Sequence, residues 1–200
     1  MKIQEYRGVR GLVAAEILTD DTETFACGAP FAVAGVAELT RTTETSSEPH
    51  YYDNVPAVVI DSTGSDEVSI TASAIPLDVL AKVTGQAYDA TKGMLVEGER
   101  DSKYFAIGYI TEMTDGTEVF VWRLKGKFNI PDSTHTTKND GTDAAGQELV
   151  FTGINTNHKF TATGKTAKAV NVDTSVNTAV TEATFFTEVQ TPDTVAAVAA

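Results

Sequence analysis

Residues 104–128 read YFAIGYITEMTDGTEVFVWRLKGKF. Two alternating apolar runs, 104–112 and 118–125, flank Asp115-Gly116. An Asp-Gly between such runs is the strongest short-range signal for a tight antiparallel hairpin. Phe105, Ile107 and Tyr109 fall on one face of the first strand; Phe120, Trp122 and Leu124 share a face of the second. A paired unit this long commits the chain to a β-scaffold, and no catalytic motif lies near it.

The remaining signals agree. About thirty threonines favour pleated, half-buried surfaces. Residues 11–19 (GLVAAEILT) read as a strand and residues 20–23 as a polar turn. Extended segments follow at 24–27 and 31–39. Residues 66–73 alternate Val68, Ile70 and Ala72 against Glu67, Ser69 and Thr71, a strand with one wet face. Residues 91–97, 148–154 and 159–163 are expected as short strands, and 180–189 as an edge strand. The one convincing helix is IPLDVLAKVTG, with Pro76 in its first turn and Gly85 at its end. Leu77, Leu80, Ala81 and Thr84 share its apolar face. At roughly ten residues it must pack on the sheet to persist.

Residues 40–65, TRTTETSSEPHYYDNVPAVVIDSTGS, hold two prolines, clustered Ser and Thr, and the pair Tyr51-Tyr52. They read as a long loop, and loops this long inside a domain are usually functional or flexible. Aromatics after a polar stretch suit an arm that docks on a neighbour. Residues 191–200 read as a loose end. The expectation is mainly β: a β-sandwich or partial barrel with one short flanking helix, forming a single domain over 1–200. Its long inter-strand loop lies at about 40–65 and a C-terminal arm at about 165–200.

Composition narrows the function. Net charge is −13 and the pI about 4.5, which disfavours phosphate binding through Lys and Arg. The single cysteine, Cys27, allows no internal disulfide and lacks a basic or histidine neighbour, so it reads as a small buried hydrophobe. No apolar run reaches the ~20 residues of a membrane span. The apolar patch after the basic start is broken by Glu16 and reads as the first strand, not a targeting core.

Candidate chemistry is sparse. KFTATGKT ends like a phosphate-binding loop, but its first glycine would fall at Lys159 and AKAVNVDTSV is β-like rather than helical. His50, His135 and His158 lie in polar contexts without ligand spacing and read as solvated. Residues 139–143 (NDGTD) lack the closing Glu of a calcium loop. Glu97, Glu99 and Asp101 are interleaved with Arg100 and Lys103, a solvated turn. No catalytic residue, cofactor or metal is expected.

The order of elements then carries a resemblance. GLVAAEILTDD, the long segment between ELTRTTE and DEVSITAS, IPLDVLAKVTG, the hairpin ending VWRLKGKF, and ATFFTEVQTPD occur in sequence over roughly residues 5–195. In this the chain resembles the major tail (tail tube) proteins of long, non-contractile phage tails. The resemblance implies a virion structural protein assembled in the host cytoplasm, with no enzyme activity. It implies hexameric rings stacked into a tube, DNA passing without specific binding, and no membrane. It also implies a tape-measure protein, a tail-tip or baseplate hub and a tail terminator as partners. Within it, Tyr51, Tyr52 and Pro56 are expected as interface anchors, with Arg41, His50 and Asp53 at the rim. Residues 184–189, with Phe185 and Phe186, are expected to form a second arm. Glu67, Glu112, Asp115 and Glu118 are the channel-lining candidates. A tube subunit of a contractile tail or injection system, an Ig-like or other β-sandwich adhesion module, and an enzyme on a β-scaffold are the competing readings.

Overall fold

The computed structural model describes residues 3–135, 137 and 146–198. Among the described residues, twelve strands and two helices follow in order: β1 Tyr6–Asp20, β2 Phe25–Cys27, β3 Phe31–Ala32, β4 Val36–Tyr52, β5 Val55–Ala72, α1 Leu77–Thr84, β6 Ala87–Asp89, β7 Met94–Val96, β8 Phe105–Met113, β9 Glu118–Phe128, β10 Asp132–Ser133, β11 Gln147–Gly153, β12 Ala169–Asp173 and α2 Glu182–Phe185. One antiparallel sheet runs β2-β1-β8-β9-β11-β5-β4, and β6–β7 form a separate pair. The sheet forks at β9. Its first half pairs with β12 (Val121 opposite Asn171) and its last residues with β11 (Phe128 opposite Phe151). The sheet also curls, bringing β1 up to β4, so the architecture is a mainly β partial barrel.

The expected hairpin is β8–β9, with Ile110 opposite Phe120 and Gly116 at φ 84 in the turn. It is more buried than a one-sided strand pair. Phe105, Ile107, Leu12, Val68, Ile70, Leu149 and Phe151 form a core on one face, which Val83 and Ile75 beside α1 help close. Ala106, Ile110, Phe120, Trp122 and Leu124 form a second core under Phe160, Val172, Val180, Phe185 and Val189. Apolar residues on both faces are what a doubly covered strand requires.

α1 sits where IPLDVLAKVTG predicts, and Gly85 (φ 77) closes it with its amide on the Ala81 carbonyl. Its buried residues are Ala81, Val83 and Thr84, whereas Leu77 is 48% exposed. The buried residues thus lie in the C-terminal half of the helix, where Val83 joins the first core, and β6–β7 lie alongside α1.

Four expectations are corrected. Residues 40–65 are not irregular: β4 and β5 pair from Val36–Ala72 out to Tyr52–Val55 as one long hairpin. Its turn is Asp53-Asn54, both at positive φ (50 and 63), the backbone that matches strand twist in two-residue hairpin turns. Residues 180–189 form no strand; the paired Thr181 and Thr184 side chains cap the short α2 instead. Residues 191–195 are not loose, because Thr191 is buried and Val195 packs on the second core, whereas 196–198 are exposed. Residues 159–163 contribute a single bridge, Phe160 to Lys165, around a turn.

Candidate assembly surface

The distal part of the β4–β5 hairpin carries a contiguous run of exposed apolar side chains, whereas others such as Tyr6, Leu18 and Val176 are scattered. Tyr51, Tyr52, Val55, Val58, Val59 and Ile60 are each about half exposed or more. They occupy both faces of the hairpin, and neither core of the described residues covers them. His50, Asp53 and Pro56 share this distal part and are exposed. Arg41 does not: it lies at the hairpin's root, its Nη1 3.9 Å from Asp66 Oδ2. Phe185 belongs to the core at 1% exposure, and Phe186 packs half-buried on Phe120 and Trp122. The expected second arm is therefore folded onto its own sheet, because these rings cover the outer face of β9.

The root of the hairpin opens into a cleft of about 1080 Å³ between β1, β4, β8, β9 and β12. Asp66, 3% exposed, lies at its edge. Its carboxylate accepts from Arg123 Nη1 at 2.6 Å and Lys168 Nζ at 3.2 Å. Arg123 Nε in turn donates to the Tyr109 hydroxyl. Burial raises the Asp66 pKa, but the Lys168 ammonium, the Thr43 side chain and the Arg123 guanidinium outweigh it and hold it below the ordinary carboxylate value. A second buried pair, Lys125 with Asp20 at 2.5 Å, ties β9 to the end of β1, and Asp20 also accepts from the Asn157 and His158 amides.

These buried pairs were missed in the sequence, although Arg123 and Lys125 alternate with apolar residues in VWRLKGKF. A cation inside an otherwise apolar strand is the available signal.

Three of the four acidic candidates converge. Glu112 and Glu118 are directly opposite across β8–β9, with Asp115 in the connecting turn. Arg7 approaches Glu112, and Arg10 bridges Glu118 and Glu182 at 2.7 and 2.8 Å. Glu67 stands apart, exposed on β5 opposite Thr42 and Thr152.

The remaining motifs resolve as local structure. In the KFTATGKT turn, the amides of Thr161 and Ala162 donate to the Asp193 carboxylate, so an internal anion takes the place a phosphate would need. His158 is not fully solvated: it is half-buried with its ring edge-on to Phe160 at 5.1 Å. Cys27 is partly buried against the second core. Residues 139–143 lie outside the described residues. Among the described residues no cluster of His, Cys, Asp or Glu has the arrangement to hold a metal, and no helix is long and apolar enough to cross a membrane.

No curated protein matches the chain. A family model described as phage tail tube protein matches residues 36–192, from the start of the β4–β5 hairpin through the C-terminal cover of the second core. The match spans the projecting hairpin and every later strand of the sheet, leaving out β1–β3, and the chain belongs to the phage tail tube protein family.

Proposed function

We propose that this tail tube subunit closes hexameric rings that stack into the hollow tube of a long, non-contractile tail. The observation that carries this reading is the β4–β5 hairpin, whose distal part exposes Tyr51, Tyr52 and Val58–Ile60 with nothing among the described residues to cover them. Exposed apolar patches of this kind mark interaction sites. Aromatic anchors at the centre of an interface typically contribute about 2 kcal/mol or more each. The hairpin docks on an adjacent subunit or ring, with Tyr51, Tyr52 and Pro56 as anchors and His50 and Asp53 at the rim.

The charge fits passage of DNA. The cluster of Glu112, Asp115 and Glu118 lines the channel, with Glu67 contributing elsewhere on the wall. Acidic walls repel phosphate over about 8 Å at physiological salt, whereas basic walls would bind it. A tape-measure protein fills the channel before ejection. A tail-tip hub starts assembly in the host cytoplasm and a terminator ends it. The subunit itself is non-catalytic and takes no cofactor.

The test is a Tyr51→Ala/Tyr52→Ala double variant, followed by negative-stain electron microscopy and size-exclusion light scattering. A folded subunit that no longer forms rings or tubes is the expected result. Unchanged tube length and yield would remove the docking role of the hairpin.

A further inference from the structure

We propose that the cation-rich cleft at the root of the β4–β5 hairpin is the seat for the acidic distal part of the same hairpin from a second copy of this chain. The inference rests on the docking role proposed for the hairpin and adds the surface that receives it.

The first support is a local excess of positive charge in a chain of net charge −13. Arg7, Arg41, Arg123 and Lys168 line the cleft with Glu38 and Asp66, and Glu112 lies just outside the lining, 3.7 Å from Arg7. Asp66 alone is shared by three of the cations, at 2.6, 3.2 and 3.9 Å. Arg41 reaches it only at the longest distance, is half exposed, and its Nη1 also donates to Thr43. A guanidinium has five donors in a planar fork, so Arg41 has capacity for a further carboxylate entering the cleft.

The second support is the composition of the hairpin. From Thr42 to Ala81 the chain has no Lys or Arg, and the hairpin carries Glu44, Glu48, Asp53 and Asp61. Its distal part is thus apolar and anionic. The cleft is apolar and cationic, since Val9, Leu39, Val119 and Val121 share its lining with the basic residues. Complementary potential of this kind sets register and rejects wrong partners.

Length excludes the chain's own tip. From Thr43 to Tyr52 the strand advances nine residues at ~3.4 Å each, which puts the tip roughly 31 Å from its own cleft. Tip-in-cleft contact is therefore between copies. It is head-to-tail, the class of contact that closes rings or continues as a helical stack.

The test reverses charge at exposed groups only: Arg7→Glu/Arg41→Glu in the cleft, Glu48→Lys/Asp61→Lys on the hairpin, and all four together. Circular dichroism and thermal melts of the soluble subunits establish that each variant is folded. Light scattering and electron microscopy then give the critical concentration for assembly at low and high salt. Each two-site reversal is expected to raise that concentration by roughly tenfold or more, with the four-site variant recovering most of the loss. Two-site variants that assemble like the unaltered chain, or a four-site variant no better than either, overturn the seat while leaving the tube-subunit reading intact. Unaltered chains that form no ring or tube even with tail-tip proteins overturn both.

Discussion

The indole Nε1 of Trp122 donates to the backbone carbonyl of Phe185 at 3.0 Å. This buried bond fastens the C-terminal segment over the outer face of β9. Phe185 is 1% exposed, with ring contacts to Phe120 at 5.5 Å and Phe186 at 5.0 Å. Phe185→Ala removes the ring from a closed cluster and is expected to cost about 3–5 kcal/mol. For a chain of this size each kcal/mol lowers Tm by about 2–4 °C. The Trp122 emission should also move to the red as water reaches the indole. A variant with unchanged Tm and emission maximum would show that the segment does not cover Trp122 in solution.

Asp66 and Asp20 set the acid limit of the fold. For both, burial alone favours the neutral form. At Asp66 the Lys168, Thr43 and Arg123 groups reverse that, and at Asp20 the Lys125 ammonium and the Asn157 and His158 amides do. Both folded pKa values therefore lie below those of the unfolded chain. The stabilisation is complete above the unfolded value of about 3.9 and is lost as pH falls through the lower folded values. Tm should be nearly flat from neutral pH to about 5 and fall steeply below 4. Asp66→Asn leaves buried Arg123 without its counter-charge, expected to cost about 3–5 kcal/mol at neutral pH, and should flatten the acid limb. An acid limb of parental steepness in Asp66→Asn would show that Asp66 does not carry this dependence.

Gly85 ends α1 at φ 77, and Asp101 donates its amide back to the Gly85 carbonyl at 2.9 Å. A Cβ there would strike the Asp101 carbonyl, whereas one on Gly93, at φ 61, meets open space. Gly93→Ala isolates the cost of the left-handed backbone, about 1–2 kcal/mol. Gly85→Ala adds the clash and should be clearly more destabilising, by denaturant melts of both variants. Equal losses would mean that the Asp101 backbone yields without cost.

What could be read from the sequence divides along the range of the interactions. β8–β9 was legible because Asp115-Gly116 and the alternation around it are local. So was α1, bounded by Pro76 and Gly85. Residues 40–65 of the β4–β5 hairpin read as a loop because both faces of that distal part are exposed, so no alternation marks it as it does 66–73 at the root. Its Pro49 lies on β4, the terminal strand of the sheet path, where a missing amide is tolerated. The C-terminal cover was equally hidden. Val180, Phe185 and Val189 are placed by what they bury against on β9, and their spacing fits neither a strand nor a long helix. At the cleft, Arg123 was conspicuous inside a strand, but its partner Asp66 is 57 residues away in sequence. Lys125 and Asp20 are 105 apart. Such pairs exist only once the sheet has curled.

Cys27 offers a check on that curled sheet. It pairs with Ile17 at the end of β1, packs against the second core, and has its thiol pushed up to about 12, chiefly by burial and secondarily by the Asp20 carboxylate. An ordinary cysteine titrates near 8.5, and the thiolate is the reactive form. At pH 8 the folded protein should therefore react with a disulfide reagent about a thousandfold more slowly than the same chain in denaturant. The native rate should rise about tenfold per pH unit through pH 10, with no plateau near the ordinary thiol value. A native rate matching the denatured one at pH 8 would place Cys27 in water. The edge of the sheet at β2 would then be open in solution.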